Sequence, residues 1–227
     1  ERLERMAKEQ VFWNAAIAHE LRTPVTILRG RLQGLAEGVF APSEPLFRKL
    51  LDQVENLGRL IEDLRVVGLA DSGHLTLQVE RCDLAAGIRD VLALSEPDLR
   101  AKGLLPELRL DEALVECDPA RMRQALLALL ENARCHAAPG WLEIGLACSG
   151  GKCRLTVTDS GPGIDPAFAS KLFDAFQRGD AARLQGGSGS GLGLAVVRAI
   201  ALAHGGEARC HAVGGGTCFE LAWPNKG

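Results

Sequence analysis

Asp159-Ser160-Gly161-Pro162-Gly163-Ile164 follows directly on Cys153–Asp159, a run that reads as a β-strand. Further along, Gly187-Ser188-Gly189-Ser190-Gly191-Leu192-Gly193-Leu194 leads straight into an apolar helical stretch, Leu192–His204, which Gly205-Gly206 ends. Glycines at such junctions let the backbone come close to a ligand, and a helix N-terminus offers N–H groups to phosphate. One glycine loop alone reads equally as a plain flexible connection. Two, each attached to a regular element, read as a nucleotide site. The second loop is not a P-loop, because no Gly-Lys-Ser/Thr follows its glycines. A dinucleotide fold does not fit either, since the flanking elements do not repeat as βαβ units.

Outward from these loops the pattern is mixed. Leu75–Val79 reads as a strand, Asp83 to about Lys102 as a largely helical stretch capped by Asp83, and Leu104–Leu110 and Leu114–Cys117 as short strands. Asp118-Pro119 has the cap-then-proline signature of a helix start, and that helix runs to about Ala137. Leu142–Cys148 with Cys153–Asp159, and Glu207–Val213 with Thr217–Trp223, read as hairpins. Elements in this order give an α/β sandwich, a mixed and largely antiparallel sheet with helices on one face.

The N-terminal third reads differently. Trp13, Ile17, Pro24, Leu28, Leu35 and Val39 recur at spacings near three and four or their sums, a helical pattern from Glu1 to about Gly38. Ala41-Pro42-Ser43-Glu44-Pro45 breaks it, and Phe47, Leu50, Val54, Leu57, Ile61 and Leu64 form a heptad seam in a second helix. A lone helical hairpin has too little core to be stable in water, so two hairpins are expected to pair as a dimeric four-helix bundle. The composition changes after Asp71-Ser72-Gly73, which divides the chain into a hairpin domain, 1–72, and an α/β domain, 73–227.

The first helix carries an ionisable cluster, Ile17-Ala18-His19-Glu20-Leu21-Arg22-Thr23-Pro24. Pro24 removes a backbone bond and crowds the carbonyl of Glu20, so a bend is expected beside His19. Thr23 lies one turn from His19 on the same face. A histidine, a carboxylate and a hydroxyl gathered there suggest a reactive site.

Hydrophobic residues make up 47% and charged residues 24% of the 227, the profile of a globular protein with a real core. Lys and Arg number 26 against 29 Asp and Glu, a formal net charge of −3 that argues against nucleic acid or a membrane surface as partner. No apolar run approaches the roughly 18 residues of a membrane span, and no signal-peptide pattern opens the chain. Because residue 1 is Glu, the chain reads as an excised fragment, with any membrane attachment in other parts of the parent. The seven cysteines form no C-x-x-C pair and no zinc-like spacing. Cys148 and Cys153 could face each other across a hairpin, yet an odd count without a framework favours reduced thiols in a cytosol-like compartment. His74, His136, His204 and His211 read as structural or surface histidines.

Five blocks, in order, carry a family resemblance: Ala18–Pro24, Gln124–Ala133, Asp159–Ile164, Phe173-Asp174-Ala175-Phe176 and Gly189–Leu194. From His19 to Phe219 the chain resembles the catalytic core of a two-component sensor histidine kinase, the cytoplasmic portion of an inner-membrane sensor. Its second domain is similar to the ATPase fold shared by gyrase, a heat-shock chaperone family and mismatch-repair proteins. The resemblance implies ATP and Mg²⁺ as cofactors, a homodimer through residues 1–72, and a response-regulator receiver domain as partner. His19 is then the phosphoacceptor, Glu20 its base, and Thr23 the residue that orients water for dephosphorylation. The implied nucleotide residues are Asn132, Asp159, Gly161, Gly163, Phe173, Phe176, Gly189, Gly191, Gly193 and Leu194. Among them Asp159 accepts from the adenine amino group, Asn132 offers its carbonyl oxygen to Mg²⁺, and Gly189, Gly191 and Gly193 line the phosphates. Gln177–Ser188 would be a short lid, with Arg178 or Arg183 as possible phosphate contacts.

The chain departs from the family pattern on the asparagine helix. Ala128 stands where many relatives have a second asparagine, Cys135 where a basic residue usually follows, and Ala137 where a small hydroxyl residue is common. Arg134 is on another face of that helix from Asn132 and is no obvious substitute for the residue at 135. These losses motivate an alternative, a weak or inactive kinase acting mainly as a phosphatase or docking module.

Overall fold

The computed structural model describes residues 2–161, 163, 164, 169, 171–176 and 191–225, with side chains at 11 and from 13 onward. It divides into two compact units, Glu1–Arg65 and Val66–Gly227.

The first unit is a helical hairpin of α1 (Arg2–Ala36) and most of α2 (Glu44–Asp71). Gly38 turns the chain with a left-handed φ of 71°. Phe40 N–H then donates to the Gly34 carbonyl at 3.0 Å. The Phe40 ring fills the space where a side chain at Gly34 would lie, since a Cβ there would meet the ring at 2.5 Å. α1 continues through Pro24. Leu50 and Leu60 are buried within the hairpin, but Val11, Val25 and Leu32 on α1 and Phe47, Val54 and Ile61 on α2 are exposed. Each exposed set recurs at heptad spacing or a multiple of it, the signature of a helix seam.

In the second unit, Val66 and Val67 of the last turns of α2 are buried. β1 (Glu80–Asp83) pairs antiparallel with β3 (Leu114–Cys117) in a two-stranded ladder. The strand expected at Leu75–Val79 is therefore displaced to Glu80–Asp83. Apolar alternation over 75–79 gives a local preference, but pairing with β3 decides the strand, while Gln78 N–H goes to the Asp118 carboxylate at 2.9 Å. The main sheet has the order β2 (Leu104–Leu110), β4 (Gly140–Ser149), β5 (Lys152–Asp159), β7 (Gly216–Pro224), β6 (Glu207–Val213). Only the β2–β4 pair is parallel within it.

The period of two places Leu142, Ile144 and Leu146 beside Cys153, Leu155 and Val157, and these beside Phe219, Leu221 and Trp223. All are buried. Each large apolar side chain in that row contributes about 1.5–3 kcal/mol through removal from water. α3 (Leu84–Ala101), α4 (Pro119–His136) and α5 (Gly193–Ala203) bury apolar faces of their own. Asp83 caps α3 through Ala86 N–H, and Asp118 caps α4 through Arg121 N–H at 3.0 Å. His204 accepts from Asp118 N–H at Nε2, 3.0 Å, while its Nδ1 lies 2.8 Å from the Ile200 carbonyl. It thus ties the end of α5 to the start of α4.

Cys148 and Cys153 are directly opposite in the β4–β5 hairpin, Cα atoms 4.2 Å apart, and are joined as a disulfide. This corrects the expectation that all seven cysteines are reduced. The facing across the hairpin that the spacing allowed is realised, and direct register there brings the two residues to disulfide geometry, against what the odd cysteine count implied. Among the described residues, no helix is long and apolar enough to cross a membrane.

Candidate functional site

Asp159 ends the inward-facing row of β5, after Cys153, Leu155 and Val157, with Leu142 and Thr217 as its cross-strand partners. Its side chain is thereby carried into the core, and the residue is only 6% exposed. Burial pushes the carboxyl pKa up, and a hydrogen bond from the Thr217 backbone partly opposes this. Two glycines make room around it. A Cβ on Gly216 would lie 1.8 Å from the Asp159 carbonyl oxygen, and one on Gly161 would lie 2.8 Å from Oδ1. Gly163 takes a left-handed φ of 76°. The result is a largely buried carboxylate with a glycine rather than a side chain next to its Oδ1, an acceptor suited to a ligand N–H donor.

Gly191 (φ 68°) and Leu192 bring the chain to the start of α5. The N-cap position is Leu192, whose side chain makes no cap hydrogen bond, and a helix start of this kind offers first-turn N–H groups as an anion site would. The Gly191 carbonyl accepts from Phe176 N–H at 2.9 Å, and Phe176 holds a left-handed φ of 62°. Asp174 pairs with Arg198 of α5 at 2.9 Å. The Phe173–Phe176 block is therefore tied to Gly191 and to α5. Phe173 itself is buried edge-on against Phe219, ring centres 6.5 Å apart. Leu194 is half-buried in the first turn of α5. Gly189, the lid Gln177–Ser188, Arg178 and Arg183 lie outside the described residues.

α4 packs against α5 where Ala128 meets Gly193, whose Cβ, if present, would lie 3.6 Å from that of Ala128. Asn132 is half-buried one turn later on the same face. Behind it Arg134 is turned back onto Glu131, with Nε and an Nη 2.6 and 2.5 Å from the carboxylate oxygens. Cys135 Sγ lies 3.5 Å from the same carboxylate. Arg134 thus does not supply the cation absent at position 135. The described residues hold no cluster of His, Cys, Asp and Glu able to bind a metal by itself. A single amide oxygen at Asn132 fits Mg²⁺, which is commonly held by one or two protein oxygens together with substrate phosphates and water.

His19 and Thr23 are exposed on α1 and Glu20 is half-buried. Thr23 Oγ1 donates to the His19 carbonyl at 3.3 Å, so its lone pairs are what it presents outward. These three belong to the first unit and the nucleotide residues to the second. Sequence reading missed the parts played by Gly216, Thr217 and Arg198. The run Gly214-Gly215-Gly216 before the last strand is a signal that could have flagged the first two. Arg198 has no local signal, because its partner lies 24 residues away.

Residues 9–73 match the His Kinase A (phospho-acceptor) domain, and residues 117–227 match the histidine kinase-, DNA gyrase B-, and HSP90-like ATPase. The histidine kinase AdeS of Acinetobacter baumannii is 39% identical, with 92% of this chain covering 98% of that one at a TM-score of 0.76. The signal transduction histidine-protein kinase BaeS of Escherichia coli is 32% identical over 92% of this chain and 46% of its own length. The histidine kinase ThkA, solved in complex with the response regulator TrrA, is 24% identical and alike in fold, at a TM-score of 0.66 over all of this chain. The chain belongs to the two-component sensor histidine kinases and comprises their phosphoacceptor hairpin and ATPase-type domain. It spans less than half the length of BaeS and of SrrB of Staphylococcus aureus.

Proposed function

We propose that this chain is an ATP-dependent protein-histidine kinase core that phosphorylates His19 and passes the phosphoryl group to an aspartate of a response-regulator receiver domain. The observation that carries this reading is one chain holding an exposed helical histidine together with a buried carboxylate at a strand end and a helix start led in by glycine. Residues 1–72 act as the dimerisation and phosphotransfer hairpin and 73–227 as the ATP-binding domain. The heptad rows Val11, Val25, Leu32 and Phe47, Val54, Ile61 support pairing with a second copy. The parent is a membrane sensor whose remaining parts carry the anchor and the signal input, in keeping with the length of BaeS beyond the match.

Bound ATP supplies the phosphoryl group, and Mg²⁺ offsets the charge of its phosphates. Asp159 accepts from the adenine amino group, with Gly161 and Gly163 flanking it. Gly189, Gly191, Gly193 and the first turn of α5, Leu194 included, take the phosphates, while Phe173 and Phe176 brace that loop. Asn132 offers its carbonyl oxygen to the cation. One ring nitrogen of His19 would attack the γ-phosphorus of ATP as the bond from that phosphorus to the bridging oxygen breaks and ADP leaves, while Glu20 accepts the proton from the other ring nitrogen. In the reverse direction Thr23 accepts a hydrogen bond from the water that attacks the receiver's phosphoaspartate.

Incubation with γ-labelled ATP and Mg²⁺ should leave acid-labile, alkali-stable label on the protein, and His19→Gln should take up none. Thr23→Ala should label normally yet dephosphorylate a receiver more slowly; equal loss of both would remove its water-orienting role. The second reading, a phosphatase or docking module with little kinase activity, draws on Ala128, Cys135 and the retracted Arg134. A wild-type chain that takes no label but still dephosphorylates a receiver would establish that reading instead.

A further inference from the structure

Cys82 of β1 and Cys117 of β3 share one face of the small ladder as diagonal neighbours, and their Sγ atoms are 3.5 Å apart. Cys82 is half-buried and Cys117 fully buried. Each directly precedes a helix cap, Asp83 for α3 and Asp118 for α4. We propose that Cys82 and Cys117 are a redox modification site, a reversible disulfide that staples the start of α3 to the start of α4.

A low-molecular-weight disulfide is the oxidant. The thiolate of Cys82, the more accessible of the two, attacks it, forming a mixed disulfide and expelling one thiolate. Cys117 then loses its proton and attacks Cys82 Sγ, expelling the second thiolate. The two protein thiols give up two electrons, the reagent is reduced to two small thiols, and these carry away the two protons. Burial, before any other cause, raises the pKa of both cysteines. Closure is therefore slow, and Cys117 is kept from direct reaction with reagent in bulk solvent.

Diagonal strand neighbours are in contact but not at bonding distance. The sulfurs must approach by about 1.5 Å to bond, so the ladder has to shift. A cavity of about 260 Å³ between α3 and α4 reaches Asp83, the residue after Cys82, and Pro119, two residues after Cys117. The shift pulls on Asp118, whose carboxylate holds Gln78 and Arg121 N–H and whose own N–H is held by His204. Closing the bond therefore loosens the cap of α4, the helix that carries Asn132. Bond and effect are both independent of what α4 binds.

The test exposes the whole chain to oxidised glutathione and follows it by intact mass, peptide mapping and amide hydrogen exchange. Peptides carrying Cys82 and Cys117 should become linked, a dithiol should reverse the link, and amides of Gln78 and Arg121 should exchange about tenfold faster in the linked chain. Cys82→Ser should form no link and show no oxidant-dependent change at those amides. Glutathione that stays on Cys82, or a link from Cys82 to a different cysteine, would overturn the site. Unchanged exchange at Gln78 and Arg121 in fully linked protein would overturn the coupling to α4.

Discussion

The hairpin and the α/β unit handle apolar surface in opposite ways. In the α/β unit three neighbouring strands align Leu, Ile, Val, Phe and Trp side chains in one buried row, and three helices add buried faces. In the hairpin only Leu50 and Leu60 are buried among the large apolar residues described, while Val25, Phe47, Val54 and Ile61 are each about half exposed, 47 to 53%. The main sheet and the hairpin each keep the period of their sequence. A period-two pattern is satisfied inside a sheet covered by helices of the same chain, whereas a heptad seam needs another helix surface. The contrast extends to the candidate residues: Asp159 is buried at a strand end, and His19 stands exposed on its helix.

Charging the seam is the severest way to break that contrast. Val54→Glu with Ile61→Glu should weaken self-association roughly 100-fold or more by sedimentation, because carboxylates would have to be buried between helices. The same variant should leave the melting transition of the α/β unit in place. If that transition fell in parallel, the hairpin would be part of the α/β core rather than a separate half-bundle awaiting a second copy.

Asp159→Asn sharpens the other side. Exchanging a charge-assisted acceptor for a neutral one should weaken nucleotide binding about tenfold by calorimetry. Stability should respond in the opposite sense. Burial raises the carboxyl pKa in the folded chain, so the folded state favours the protonated form, and Asp159's contribution to stability is lost as pH rises through that raised value. At neutral pH the ionised group is a net cost. The Asn variant should melt no lower than wild type at pH 7, and its melting temperature should vary less with pH just above the ordinary carboxylate range. Nucleotide affinity of the wild type should fall as the pH is lowered through the same window. A clear loss of stability in the Asn variant at pH 7 would mean that the carboxylate is held by partners stronger than the Thr217 backbone.

Much of this was legible from local chemistry. Asp83 and Asp118 cap α3 and α4 as their positions imply, and Gly205 follows the end of α5. What was not legible depends on partners distant in sequence. β1 begins at Glu80 rather than at Leu75 because β3 chooses the register. The left-handed Phe176 follows from a bond to the Gly191 carbonyl. For the candidate site, the motifs gave residue types and order. Burial of Asp159, the tie between Asp174 and Arg198, and the retraction of Arg134 emerge only once the strands and helices are packed.

The smallest expected effect concerns the junction of α4 and α5. Ala128 is where a family asparagine is missing, and it faces Gly193 closely enough that a Cβ there would make an ordinary contact at 3.6 Å. Ala128→Asn adds an amide one turn before Asn132, and nucleotide affinity should rise about threefold, the scale of one added hydrogen bond to a partly solvated ligand. Gly193→Ala alone should cost little, since Ala128 leaves room for one methyl. Together the two changes compete for the same space, so the gain from the added amide should vanish in the Ala128→Asn, Gly193→Ala double variant, a coupling that a double-mutant cycle measures. Additive effects would show that a side chain at position 128 does not reach the glycine loop. Ala128 would then be a matter of helix packing, with no bearing on nucleotide affinity.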